Sequence, residues 1–158
     1  MPKPLAPDAL GAPLGMYSHG MVAPAGEMVV VAGQVGTDAA GRVVGDDIVA
    51  QTRQAFENVR AVVEEAGCSM RDVVRLQTFL TRPEDIPGFM QARAELYPRY
   101  FPDGVYPPNT LLVVSRLVRP EFLVEIEALA VRPARAAARR AAAAPARARK
   151  AGRASRRR

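Results

Sequence analysis

Cysteine, histidine and tryptophan are almost missing from this chain, whose 158 residues hold one Cys, one His and no Trp. A lone Cys68 excludes an internal disulfide and suits a reducing compartment, so a cytoplasmic location is expected. With His19 the only histidine, the usual Cys and His ligand sets of a structural zinc site cannot be assembled within one subunit. No stretch approaches the roughly 18 consecutive apolar residues of a membrane span. The opening MPKPLAPDALGAPLG has Pro and Gly where a signal peptide carries an apolar run. Neither a membrane contact nor a cofactor or metal is expected. Acidic residues are missing from one end: residues 133–158 hold ten Lys and Arg and no Asp or Glu, whereas residues 1–132 hold 12 against 16. The sequence pI of about 10.2 therefore belongs to a tail, and the remainder is mildly acidic.

What is present suits one domain plus ends, long enough for a single core. Apolar residues make up 49% and charged residues 24%, as in ordinary soluble proteins. Residues 1–15 read as a Pro-rich arm, 16–132 as the globular domain, and 133–158 as a disordered Ala/Arg-rich basic tail that cannot bury a core. Within the domain, Tyr17 to Ala23 reads as a short strand and Met28 to Ala32 as an unbroken apolar run suited to a central strand. Asp38 to Gly41 reads as a turn, with Arg42 to Val44 a short strand. Ile48 to Ala66 is the strongest helix, with Ile48, Thr52, Ala55, Phe56, Val59, Val62, Val63 and Ala66 on one face at helical spacing. Asp46 and Asp47 stand where the helix dipole favours acids, and Gly67 is a natural stop. Asp72 to Leu80 reads as a strand. A second helix is expected from about Glu84 to Tyr100, with Pro98 predicting a kink or an early end.

Residues 105–131, VYPPNTLLVVSRLVRPEFLVEIEALAV, read as a buried β-hairpin with two glutamates on one strand. Glu125, Glu127, Leu129 and Val131 share one parity there, and Val124, Ile126, Ala128 and Ala130 share the other. A carboxylate in such a setting is costly unless it is paired, hydrogen-bonded or used, or unless that face meets water at a sheet edge. Two amphipathic helices can cover only one face of the mixed sheet. Self-association is the simplest way to cover the other face.

Five stretches in order carry a family resemblance: Gly15 to Gly20, Ala32-Gly33-Gln34, Gln51 to Asn58, Ala66 to Val74, and Val124 to Val131. On these the chain resembles the RidA family, also called YjgF or L-PSP endoribonuclease-like, over about residues 14–132. The resemblance implies a chorismate-mutase-like (RidA/YjgF) α+β fold, with a mixed sheet, two helices on one face and a homotrimer with small-molecule clefts between subunits. It also implies an imine/enamine deaminase, which hydrolyses 2-iminobutanoate or 2-iminopropanoate to the keto acid and ammonia without metal or cofactor. Carried over position by position, the catalytic glutamate falls on Glu125. The substrate-binding positions fall on Tyr17, Gly33, Asn109, Thr110 and Leu111, the last through its backbone. The family's substrate-binding arginine is Asn109 here, its turn serine is Ala32, and its cleft asparagine on the second helix has no counterpart between Gln91 and Ala94.

The change at Asn109 is the most consequential departure. A charge-assisted arginine contact contributes about 1.5–3 kcal/mol, which a neutral amide does not supply. Three alternatives follow. The substrate lacks a carboxylate, a nearby cation such as Arg93 or Arg116 substitutes, or the pocket no longer does this reaction and only binds a metabolite. The tail adds a further one, weak contact with nucleic acid through residues 133–158, where three basic tails in a trimer act together. Other motifs read more simply. Ser18 and His19 are a loop or strand-end polar pair, and Gly33 to Thr37 lacks the lysine of a phosphate loop. Cys68 is an inert thiol without a partner base. Tyr97, Tyr100 and Phe101 pack against the sheet, and no constellation of residues supports a ribonuclease.

Overall fold

The computed structural model of the chain describes residues 1–134. The expectations for the basic tail fall, from residue 135 onward, outside the described residues. Strands β1 (Lys3–Leu5) and β2 (Gly20–Val22) pair as a two-stranded sheet, so part of the Pro-rich arm is itself a strand. The main sheet is built from β3 (Gly26–Val35), β4 (Val73–Leu80), β5 (Asn109–Val113) and β6 (Val124–Pro133), in the order β3-β6-β4-β5. β6 runs antiparallel to both β3 and β4, whereas β4 and β5 are parallel. Helices α1 (Ile48–Glu65) and α2 (Ile86–Tyr100) lie on one face, giving the expected α+β fold with a mixed sheet.

The hairpin expected over 105–131 does not form, because β4 stands between β5 and β6. Parallel strands need a crossover rather than a tight turn, and α2 supplies it between β4 and β5. β6 is thereby a central strand with both edges paired. That position suits it, since Val124, Ile126, Ala128 and Ala130 are all buried.

Helix α1 begins where the sequence places it. The Asp47 carboxylate accepts a hydrogen bond from the Ala50 amide at 2.9 Å, and Gly67 at φ +80° ends the helix. Its inner face meets the sheet through Ala55, Phe56, Val59 and Val63. Val62, expected on that face, is 38% exposed instead. In α2 the helix continues through Pro98 to Tyr100. Phe89 and Tyr97 are fully buried against Phe56, with ring centroids 6.2 and 5.8 Å away.

The opposite face of the sheet has no cover in a single copy. Met28 and Val30 are 70% and 69% exposed there, with Ala32 on the same side of β3. Burying a side chain of that size contributes about 1.5–3 kcal/mol, so this face favours a partner surface.

Candidate functional site

Glu125 points to the uncovered face. It is register-paired with Val35 of β3 and Phe79 of β4, and its parity is opposite to that of buried Val124 and Ile126. β3 carries a register shift between Val31 and Gln34, beside Glu125. Gly33 lies in that irregular stretch. A Cβ added to Gly33 would stand 2.5 Å from the Glu125 carboxyl carbon, closer than any side chain allows. Glycine here allows the carboxyl its close approach and is not required by a left-handed backbone. The Glu125 carboxyl is half-buried and has no hydrogen-bond or ion-pair partner among the described residues. Burial raises its pKa above the ordinary value of 4.5, and the negative charge of Glu127 adds to the effect.

Two α1 side chains hold the backbone on either side of this contact. Gln51 is 1% exposed. Its amide donates to the Gly45 and Glu121 carbonyls at 3.2 and 3.0 Å, and its oxygen accepts from the Leu123 amide at 3.0 Å. Leu123 leads directly into β6. The Asn58 amide donates to the Val35 and Thr37 carbonyls, both at 3.0 Å, and fixes the end of β3 past Gly33. Gly36 allows α1 this near, for a Cβ there would lie 2.6 Å from the Gln51 Cβ. The sequence reading placed Gln51 and Asn58 only within a matching stretch. A polar residue one position off the apolar stripe looks like surface, and its burial shows only in the fold.

Tyr17 stands in the loop before β2. Its hydroxyl accepts a hydrogen bond from the Leu14 amide at 3.3 Å, and its ring meets that of His19 edge-on at 6.0 Å. The Ser18 hydroxyl donates to the Tyr106 carbonyl at 2.6 Å. This ties the Tyr17 loop to the segment that leads into Asn109. Ser18 and His19 are loop residues, with the imidazole Nε2 2.7 Å from the Gly11 carbonyl oxygen.

Asn109, Thr110 and Leu111 open β5 and pair in parallel with Leu76, Gln77 and Thr78. The Asn109 side chain accepts a hydrogen bond from the Thr78 hydroxyl at 3.2 Å. Because Leu76 and Thr78 are buried beneath the helices, Asn109 and Leu111 face the helix side, whereas Thr110 shares the uncovered side with Gln77. One copy of the chain therefore brings Glu125 and Gly33 together, and separately brings the Tyr17 loop toward Asn109. It does not bring the acid to the amide, because the two side chains belong to opposite faces of the sheet.

Near Glu125, a shallow depression on the uncovered face is lined by Val30, Ala32, Arg75, Gln77, Glu127 and Leu129. The Arg75 guanidinium donates to the Gln77 side chain there. Cys68 has its thiol pKa raised by burial and by the charge of Asp72, the reverse of an activated nucleophile. Tyr97, Tyr100 and Phe101 are packed in the core as expected. Among the described residues no helix is long and apolar enough to cross a membrane, and no group of three or more His, Cys, Asp or Glu could hold a metal ion.

Comparison with known proteins places this geometry. The family Endoribonuclease L-PSP matches residues 7–132. A 2-iminobutanoate/2-iminopropanoate deaminase of Salmonella typhimurium is 34% identical over 134 residues, which is 84% of this chain and 99% of that protein. Among solved structures, a protein of unknown function of the Rid family from Yersinia pestis aligns with a TM-score of 0.72 at 32% identity, covering 83% of this chain and 98% of its own. Escherichia coli TdcF with bound serine aligns with a TM-score of 0.62 at 28% identity, covering 83% and 99%.

Proposed function

The chain belongs to the Endoribonuclease L-PSP family, and from that premise we propose that it hydrolyses a small imine or enamine and releases ammonia. The observation that carries this reading is the Glu125 carboxyl seated on Gly33, half-buried and unpartnered. A carboxylate held without a structural partner is available for proton transfer. Its raised pKa brings it nearer to neutrality, where a general base works best.

The chemistry asks little else of the protein. Water adds to the electrophilic carbon of the protonated imine while Glu125 accepts one of its protons. The new C–O bond leaves a tetrahedral amino alcohol. Glu125 then passes the proton to nitrogen and takes up the hydroxyl proton as the C–N bond breaks, and ammonia leaves the carbonyl compound, carrying that proton away as ammonium. Gly33 lets substrate and acid approach the backbone of β3. Tyr17, Asn109, Thr110 and Leu111 contact the substrate.

Because Asn109 and Glu125 lie on opposite faces within one copy, this reading assigns the two halves of a pocket to neighbouring subunits. The uncovered face bearing Met28 and Val30 supports such an assembly, and a homotrimer closes it symmetrically. A cytoplasmic location is in keeping with the single cysteine.

Ammonia release tests the reading. 2-Iminobutanoate and 2-iminopropanoate are generated in place by a dehydratase acting on threonine or serine, and a panel of other amino-acid imines is made by an oxidase. Release faster than the spontaneous rate for at least one member supports the proposal. Spontaneous rates across the whole panel reject it.

A further inference from the structure

Arg93 is the one arginine among the described residues with neither an ion pair nor a hydrogen bond of ordinary geometry, and it acts electrostatically on the neighbouring Tyr97 hydroxyl. Eight of the other ten are paired with carboxylates, Arg75 donates to Gln77, and Arg116 donates to the Leu117 and Val118 carbonyls. Arg93 is also the most buried charged side chain, 7% exposed on the inner side of α2. A guanidinium does not deprotonate in a protein, so its charge persists wherever it is placed. Buried charges of this kind are found paired or in use.

What surrounds Arg93 holds it in place without neutralising it. Its guanidinium carbon lies 5.7 Å from the Phe89 ring centroid and 5.4 Å from that of Tyr97, one turn away on either side. Its Nε and the Tyr97 hydroxyl are both buried without hydrogen-bond partners. The outer edge has a way out. Nη2 lies 3.8 Å from where a Cβ on Gly15 would stand, and no other atom beyond the adjoining residues comes within 4 Å of that point. Gly15 begins the turn whose carbonyl accepts from the Tyr17 amide. Tyr97 in turn stacks on Tyr106 at 5.4 Å, and the Tyr106 carbonyl anchors the same loop through Ser18. The guanidinium is thus aimed between the Tyr17 loop and the segment leading to Asn109.

We propose that Arg93 is the anion-holding residue of this chain, taking the substrate carboxylate that Asn109 cannot hold by charge. The substrate class is then a small 2-imino or 2-enamino acid with its carboxylate intact. Of the two cations near enough in sequence to substitute, Arg116 is exposed and already spends its N–H groups on carbonyls. Arg93 is buried, and its Nε has no hydrogen-bond partner. The identity of the substrate rests on the hydrolase reading above, while the anion site can be measured without turnover.

The full-length protein is titrated with 2-oxobutanoate, the keto acid product, and with neutral 2-oxobutanamide. Wild type is expected to bind the acid more tightly than the amide. Arg93→Met, which fills the same space without the charge, is expected to lose roughly 10- to 150-fold in affinity for the acid and to bind the amide as before. Arg93→Lys is expected to recover part of the loss. In wild type, the Arg93 Nε–H resonance, assigned by its absence in Arg93→Lys, is expected to shift with the acid and not with the amide, a readout that survives even if Arg93→Met does not fold. Equal affinity for acid and amide in wild type, or an unmoved Arg93 resonance, overturns the proposal. So does an Arg93→Met protein that keeps its affinity for the acid. A protein that binds the acid through Arg93 but releases no ammonia from any imine keeps this inference and ends the hydrolase reading.

Discussion

The Glu125 carboxyl lies directly over the Cα of Gly33, so close that a methyl group at position 33 would push it aside. The contact joins β6 to the irregular stretch of β3. It also fixes where the half-buried glutamate of the uncovered face can stand.

Gly33→Ala is expected to push that carboxyl aside at a cost in stability within about 0.5 kcal/mol, because the atoms a Cβ would meet belong to the end of a flexible, part-exposed side chain. Activity should fall by far more than stability. Since both changes act on the same carboxylate, Gly33→Ala should cost no further activity in a Glu125→Ala background. Steady-state kinetics and denaturant unfolding of the three variants check this, and additive losses of activity would show that the two residues do not interact.

Burial and Glu127 raise the Glu125 pKa in the folded state above its unfolded value of 4.5. Between these two values the folded protein binds more protons than the unfolded chain, so this group's contribution to stability falls as pH rises through that window. Glu125→Gln is expected to remove that fall, which unfolding curves across the acid range would register. The same raised pKa places the acid limb of the kcat/KM profile above 4.5, because water activation needs the carboxylate.

Gln51 satisfies three backbone groups on the approach to β6. Gln51→Leu fills a similar volume but leaves the Leu123 amide and two carbonyls without a partner. A loss of about 1–3 kcal/mol is expected. Since Leu123 precedes β6, kcat should fall more than substrate affinity. Thermal unfolding together with steady-state kinetics separates the two effects.

Val30 is 69% exposed in a single copy. Val30→Asp should therefore leave the fold of one subunit within about 0.5 kcal/mol of wild type, as surface changes usually do. It should break the assembly if that face meets a neighbour. Light scattering is expected to give three times the chain mass for wild type and a smaller particle for Val30→Asp. A wild type that scatters as one chain at all concentrations contradicts the shared pocket.

Much of this was legible in the sequence, for reasons that differ from element to element. Helix α1 announces itself through apolar spacing, Asp47 at its start and Gly67 at its end, all local signals. The parity of β6 separated Glu125 from Val124, Ile126, Ala128 and Ala130, which are buried, although Val131 on the glutamates' parity is buried as well. Strand partnership was not legible. Periodicity says which face a residue takes but not which strand lies beside it, so β5 and β6 read as neighbours when β4 separates them. Pro98 predicted a kink or an early end, and the helix runs on past it to Tyr100. It stands in the last turn of α2, where one missing amide costs little and buried Tyr97 and Tyr100 hold the turn in place. Gln51 and Arg93 were hidden for a shared reason: both are polar side chains on apolar faces, and sequence alone assigns such residues to solvent. Arg93 could be named as a spare cation, but its burial and lack of a partner needed the packing of α2 against the Tyr17 loop.

The most direct test compares wild type with Glu125→Gln, an exchange that keeps shape and removes the ionisable group. Each is mixed with the most reactive imine under conditions where spontaneous hydrolysis is known, and ammonia is followed by a coupled assay. The account predicts a loss of roughly 10²- to 10⁴-fold in kcat for Glu125→Gln, the usual contribution of a general acid–base group, with unchanged assembly. A Glu125→Gln protein that releases ammonia as fast as wild type contradicts it.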